Sequence, residues 1–332
     1  MKNFNNLKKI FFIAEIGNNH EGSYHNALRL IDQAKKSGAD AVKFQTFDTN
    51  YFVNKSDKKR FKRLKSFELT KSNFKKLSIY SKKKGLKFIS TPLDLDSAKF
   101  LSKIVDVFKI SSGDNNFYEL IKLCASFKKP LIISTGMLNF IEIKNILKML
   151  NKIKFPKNKL AFLHCVSDYP VEDKEANLLS IRYLRDSLPV TIGYSDHIIG
   201  CESCLIAASY GAKIIEKHFT LNNNFSNFRD HKISLNPKNM KEMISSTRRV
   251  ENMIGKYEKK ISNNEKKNYS SMRRSIYFDK KLSKGTIIRR KHLKIVRPYN
   301  ETAPKDFFKI LGKRLKKDVD DSQLVTFNIF RN

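Results

Sequence analysis

Short apolar, β-rich runs alternate with longer amphipathic stretches from near the N-terminus to about residue 255. The runs are FFIAEI (11–16), AVKFQTF (41–47), KFIST (87–91), VFKISS (107–112), PLIIST (130–135), LAFLHC (160–165), VTIGYS (190–195) and KIIEKHF (213–219). Between them lie segments such as HNALRLIDQAKKSG, DSAKFLSKI, FYELIKLCASF and IEIKNILKMLNKI. Their apolar residues recur every three or four positions, as a helix packed on a sheet requires. Gly38, Gly85 and Gly211 fall late in helical stretches and just before strands, where a left-handed C-terminal cap is expected.

Eight strand-then-helix units with short connections predict a parallel sheet. Eight is also the number that closes into a barrel, although a doubly wound sheet gives the same count. The predicted fold class is therefore α/β, a (β/α)8 barrel over residues 1–255 followed by a small β-rich domain. Residues 256–271 are polar and charged with little apolar periodicity, and read as a linker. Residues 272–332 are β-rich at first, with a helix expected around FFKILGKRL and a last strand at QLVTFNIF. About sixty residues make a marginal core, so this piece is expected to lean on the barrel or on a partner subunit.

Composition narrows the class. An apolar content of 40% supports an ordinary core. No stretch approaches the roughly 18 uninterrupted apolar residues of a membrane span. The N-terminus starts basic and turns apolar, but Glu15 interrupts the run too early for a signal peptide. It reads as a buried first strand, with the protein expected in the cytoplasm. Cys201 and Cys204 form a CxxC, yet a lone pair is half a zinc site, and the pair opens an apolar helical stretch where packing is the simpler role. Sixty-six basic against 32 acidic residues give a net charge of +34, which invites a nucleic-acid reading. The lysines, however, are spread through nearly every helical segment alongside abundant Asn and Phe, the pattern of a proteome-wide compositional bias. Neither a nucleic acid nor a membrane is expected as partner.

The candidate chemistry lies at strand C-termini, which form the mouth of a barrel. Glu15 ends the first strand, Lys43 and Gln45 the second, and Thr91 follows the third. Lys109 and Ser112 end the fourth, Ser134 the fifth and His164 the sixth. Ser195 ends the seventh with His197 just beyond, and Glu216 and His218 end the eighth. Pairs at i and i+2 face one side of a strand. Ionisable groups inside apolar strands cost several kcal/mol unless paired or in use, which singles out Lys43, Lys109 and Glu216. His197 and His218 would sit about 5 Å apart on adjacent strands, close enough to share a weakly held, exchangeable divalent cation. Lysines and hydroxyls across the mouth suit a phosphate and a carboxylate, so a small polyanionic substrate is implied. There is no Walker A loop, and no GxGxxG follows a strand, so nucleoside phosphates are not indicated.

These residues sit in recognisable motifs. IAEIGNNHEGS (13–23), AVKFQTF (41–47), ISTPLD (89–94), FKISSGD (108–114), STGM (134–137), LHCVSDYP (163–170), IGYSDHIIG (192–200) and IIEKHFTL (214–221) resemble, in order, the motifs of sialic acid (N-acetylneuraminate) synthases. RRSIYFDKKLSKGTII and LKIVRPYN resemble the antifreeze-like, or SAF, domain attached to those enzymes. The resemblance implies condensation of phosphoenolpyruvate with an N-acylated mannosamine-type sugar, an N-acyl hexosamine, to give a nine-carbon 2-keto acid and phosphate. Carried over by motif, Lys43, Thr91, Lys109, Ser112, Ser134 and Ser195 would hold phosphoenolpyruvate, while Gln45, Tyr169 and Asp230 would line the sugar side. His197 and His218 would ligate Mn²⁺ or Mg²⁺, and Glu15 would accept a proton. Arg297, in the VRPYN segment, would reach the sugar from a partner subunit, implying a domain-swapped homodimer.

The chain departs from the pattern at three places. Asp114 stands where many relatives carry Glu, NNNFSNFRDHKIS lacks the usual Pro-Gly-Pro before Asp230, and VRPYN replaces VRPG. All three bear on which sugar fits. A legionaminic or pseudaminic acid synthase using a 2,4-diacetamido sugar is the alternative within enzymes. A nucleic-acid-binding protein exploiting the +34 charge is the alternative outside them. It predicts duplex binding that weakens steeply with salt, and gives no reason for polar residues at strand ends.

Overall fold

In the computed structural model, which describes residues 3–331, the first unit of the chain runs to Gly255 and the second begins at Lys256. Met1, Lys2 and Asn332, the outermost residues of the two expected domains, lie outside the described residues. The strands β1 (Phe11–Gly17), β2 (Ala41–Thr46), β3 (Lys87–Pro92) and β4 (Val107–Ile110) are followed by β5 (Leu131–Ser134), β6 (Leu160–His164), β7 (Thr191–Asp196) and β8 (Ile214–His218). They pair in parallel in chain order, and β1 closes on β8, with Phe11 opposite Ile214 and Glu15 opposite His218. The first unit is thus a closed eight-stranded barrel and not an open, doubly wound sheet.

Alternation along each strand divides the barrel into layers. The lower interior is apolar: Phe11, Ile13, Ala41, Ile89, Val107, Ile132, Ala161, Leu163 and Ile214 cluster there, with Phe4 against them. Two residues further along the same strands come Glu15, Lys43, Thr91, Lys109, Ser134, Cys165 and Glu216. The same two-residue period that buries an aliphatic floor therefore lifts a polar ring to the C-terminal end. Outward-facing Phe12, Ala14, Val42, Phe44, Phe88, Phe108, Phe162 and Ile215 pack under the helices in the main core. Each such large side chain contributes roughly 1.5–3 kcal/mol by leaving water. Gly193 in β7 is required by space, because a Cβ there would lie 2.4 Å from the Ile214 carbonyl oxygen and 2.6 Å from Leu163.

Helix boundaries follow local chemistry. The helix Tyr24–Lys36 starts where the Ser23 side chain accepts from the Asn26 amide, and it buries Ala27, Leu30, Ile31 and Ala34 at helical spacing. Gly38, Gly85 and Gly211 take φ values of +90°, +75° and +96°, as their positions before strands predict. Cys201 and Cys204 are both free; Cys204 is buried and Cys201 precedes the helix Glu202–Ser209.

In the second unit, β9 (Ser275–Phe278) and β10 (Leu293–Val296) pair antiparallel. Ile276, Phe278, Ile288, Leu293, Ile310, Leu315 and Val325 form its core. Three sequence expectations change here. The polar stretch before it contains a helix, Asn263–Met272, set by a capping box between Ser262 and Glu265 and not by an apolar face. The helix expected around FFKILGKRL is a single turn, Phe307–Ile310, and Gly312 follows it at φ +80°. QLVTFNIF forms no continuous strand. It meets β9 only through isolated bonds, such as Val325 N–H to the Ile276 carbonyl, then winds into a 3₁₀ turn at Phe327–Ile329.

Candidate active site

The polar ring surrounds a cavity of about 600 Å³. Glu15, Lys43, Gln45, Lys109, Ser112, Asp114, Ser134, Tyr169, Ser195, His197, His218 and Asp230 all line it. Thr91 is buried just behind, its hydroxyl 3.5 Å from the Lys43 ammonium. With Glu216, which also lines the cavity, fourteen of the sixteen residues named from the sequence therefore meet at one end of the barrel; His164 and Arg297 are the exceptions. Arg297 belongs to the second unit, where it is exposed and its Nε donates to the Met272 carbonyl at 2.6 Å.

A chain of buried charges crosses the floor. Lys43 lies 2.9 Å from Glu15 and 3.6 Å from Glu216, and Lys109 lies 3.3 Å from Glu216. Burial pushes the Glu15 carboxyl up to about 7, against the pull of Lys43. Burial also works against the charge on Glu216, but Lys109, Lys43 and the Ser195 hydroxyl outweigh it and hold that carboxyl below its ordinary value. Lys109 is pushed down by burial, whereas at Lys43 burial is overcome by Glu15 and Glu216, which raise it. Two similar carboxyls are thus driven apart, one kept as an anion and one poised near neutrality. Such a split marks acid–base assignments. Ser195 donates to Glu216 at 3.0 Å, and the buried Ser134 hydroxyl has no partner among the described residues.

The sugar-side candidates lie at the same mouth. The Tyr169 ring stacks on His197 with centroids 4.2 Å apart, and the Arg229 guanidinium lies 4.4 Å from the Tyr169 centroid. Asp230 is pushed up to about 6 by burial, with Arg229 pulling the other way. Burial raises Asp114, whose carboxylate accepts from Ser111. Gln45 accepts from Asn18 at 2.8 Å.

His197 and His218 face each other with ring centroids 5.4 Å apart. Burial lowers His197 to about 4 and His218 well below its ordinary value, so both rings are neutral. His197 Nδ1 lies 2.9 Å from the Val166 carbonyl, so that nitrogen carries the proton and Nε2 keeps its lone pair. His218 Nδ1 is buried without a partner among the described residues. Among those residues no cluster of three or more His, Cys, Asp or Glu side chains could hold an ion. Two neutral imidazoles with free lone pairs fit a weakly held divalent cation and not a closed structural site.

Comparison with known proteins places this arrangement. Residues 30–259 match the NeuB family and residues 273–328 the SAF domain. The N,N'-diacetyllegionaminic acid synthase of Campylobacter jejuni is 35% identical over 96% of this chain and 99% of its own. The pseudaminic acid synthase of C. jejuni is 33% identical over 99% of both chains. The crystal structure of N-acetylneuraminic acid synthetase from Leptospira borgpetersenii is 33% identical, covers 79% of this chain and 90% of that one, and has a TM-score of 0.75.

The chain belongs to the NeuB family. It is an enzyme of that family's type, a phosphoenolpyruvate-dependent condensing transferase with a C-terminal SAF domain. Identities of 33–35% to synthases named for three different sugar acids do not single out one sugar.

Within this NeuB-family barrel, the sequence pattern misplaced one residue and passed over others. His164 faces outward, stacks on Tyr194 and bonds the Ala176 carbonyl, because β6 carries Ala161, Leu163 and Cys165 on its inner face. Cys165 is the cavity residue, and counting by two from Leu163 identifies it. Asn18, Arg60, Arg63, Ser167 and Arg229 also line the mouth. They sit on loops and a short helix, where no strand period signals direction. Among the described residues no helix is long and apolar enough to cross a membrane.

Proposed function

We propose that this enzyme condenses phosphoenolpyruvate with an N-acylated mannosamine-type sugar, giving a nine-carbon 2-keto sugar acid of the N-acetylneuraminate type and inorganic phosphate. The observation that carries the reading is the meeting of Lys43, Lys109 and four hydroxyl side chains with two neutral imidazoles in one cavity.

Lys43 and Lys109, with Thr91, Ser112, Ser134 and Ser195, bind the phosphate and carboxylate of phosphoenolpyruvate. Gln45, Asp114, Tyr169 and Asp230 orient the sugar. A divalent cation, Mn²⁺ or Mg²⁺, held by His197 and His218 would polarise the sugar aldehyde. C3 of the enol forms the new bond to the aldehyde carbon, whose oxygen takes the proton carried by the neutral Glu15 carboxyl and becomes a hydroxyl, leaving Glu15 as the anion. Water adds at C2 and gives its proton to Glu15, which a value of about 7 suits near neutral pH. Cleavage of the C2–O bond to phosphorus then leaves the 2-keto acid and phosphate. Arg297 of the partner subunit completes the sugar site, so the working enzyme is a domain-swapped homodimer, placed in the cytoplasm.

The same chemistry serves a 2,4-diacetamido sugar, and similarity to legionaminic and pseudaminic acid synthases keeps that reading beside the first. Phosphate release from phosphoenolpyruvate with Mn²⁺, measured across N-acetylmannosamine and 2,4-diacetamido hexoses, tests both. Release with the mannosamine at the highest kcat/KM supports the first reading. Release only with a diacetamido sugar replaces it with the second, and no release with any of them ends both.

A further inference from the structure

Opposite the two imidazoles, on the outer face of the same strands, lies an ion pair whose side chains are both 0% exposed: Asp196 and Lys217, 2.8 Å apart. The two residues are direct register partners across β7 and β8. Each is the immediate neighbour in sequence of a candidate metal ligand, His197 and His218. Every strong bonding position of the Asp196 carboxylate is filled. Oδ1 accepts from the Tyr194 hydroxyl and the Ile198 amide, both at 2.9 Å. Oδ2 accepts from Lys217 and from Ser203, both at 2.8 Å, and from the Cys204 thiol at 3.3 Å. Lys217 also donates to the Ile198 carbonyl.

A pair so placed needs a reason, because burying two charges in an apolar wall gains little over packed aliphatic residues. This one ties three pieces together: the end of β7, the turn that follows it, and the end of β8. Both bonds to Ile198, one through its amide and one through its carbonyl, hold the backbone on the far side of His197. The bond to Lys217 holds the backbone next to His218. Since a strand carries successive side chains to opposite faces, fixing Asp196 and Lys217 outside fixes His197 and His218 inside.

We propose that Asp196 and Lys217 are positioning residues that set the spacing of the two imidazoles for a divalent cation. The proposal rests on the metal role given above to His197 and His218. The pair acts through the backbone and not on substrate, so its removal weakens the cation before it weakens phosphoenolpyruvate.

The test is Mn²⁺ affinity of the full chain, by titration calorimetry or by the paramagnetic resonance signal of free Mn²⁺, for wild type and for the double variant Asp196→Leu/Lys217→Met. Apolar replacement of both charges keeps the wall filled but takes the acceptor from the Tyr194 and Ser203 hydroxyls and the Ile198 amide, so thermal stability is expected to fall while the fold is kept. Mn²⁺ Kd is expected to rise about tenfold or more, the usual effect of losing support behind a metal ligand. The KM for phosphoenolpyruvate at saturating Mn²⁺ should stay within about twofold. Lys217→Arg keeps the pair and should retain near-wild-type Mn²⁺ affinity. A folded double variant that binds Mn²⁺ as tightly as wild type overturns the proposal. If the double variant does not fold, Ser203→Ala removes one support of Asp196, and an unchanged Mn²⁺ Kd there overturns it equally. A wild-type chain that binds no Mn²⁺ removes the metal role itself and this proposal with it.

Discussion

Replacing Glu15 by Gln should stabilise the barrel in alkaline solution while stopping turnover. Glu15 is 2% exposed, and burial raises its carboxyl from an ordinary 4.5 to about 7. A carboxyl held above its unfolded value binds more protons in the native state than in the unfolded one, so its contribution to stability falls as pH rises. Well below pH 4.5 the group is neutral in both states, and well above about 7 it is charged in both and its charge is buried at full cost. Each decade between those limits is about 1.4 kcal/mol, so the charged form costs ~3 kcal/mol. Gln is a neutral isostere and carries no such penalty. The expected difference in Tm between variant and wild type is about 1 °C at pH 5 and roughly 4–6 °C in the variant's favour at pH 8.5. Scanning calorimetry of both proteins at pH 5, 6, 7 and 8.5 gives the curve. Taking the difference cancels the titration of groups remote from Glu15, including the general repulsion within a chain of net charge +34. Phosphate release should fall by a factor of about 10² or more at every pH, the usual weight of a positioned proton acceptor. A Tm difference independent of pH would refute the reasoning, because the carboxyl would then titrate alike in both states. Stability gained with activity lost is the pattern expected where a destabilised group is kept for chemistry.

His197→Ala and His218→Ala should each abolish Mn²⁺-dependent phosphate release while leaving the circular dichroism spectrum unchanged; activity that survives a chelator counts against the metal role. Lys109→Met removes one of the two cations from Glu216 and should raise the KM for phosphoenolpyruvate at least tenfold, with a smaller change in the sugar KM measured in the same assay; the reverse order would place Lys109 on the sugar side. Arg297→Ala should raise the sugar KM more than that of phosphoenolpyruvate, and equal effects would argue against its reaching the sugar. Gly193→Ala should lower Tm by about 2 °C or more, since overpacking typically costs 1–3 kcal/mol and the added Cβ would meet the backbone of β8; an unchanged Tm would show that the wall yields there.

The sequence alone determined the order and number of the strands, because a barrel strand buried on both faces writes itself as a short apolar run. It also determined most of the site. Lysines and glutamates cannot sit inside such runs without a reason, so Lys43, Lys109 and Glu216 were visible from their cost alone. Period two then assigned their neighbours to one face. What it could not decide was which way a side chain points where the run ends. His164 and Cys165 are adjacent, and only the register of β6 against its neighbours turns the thiol inward. Loop residues such as Arg229 have no period to read, and their place over Tyr169 exists only once the chain has closed. The second unit was least legible. Its short elements are held by isolated bridges and a small shared core, so local pattern carries little of the information that fixes them. Closure of the sheet, which no local segment contains, also brought β8 beside β1 and so placed His218 opposite Glu15.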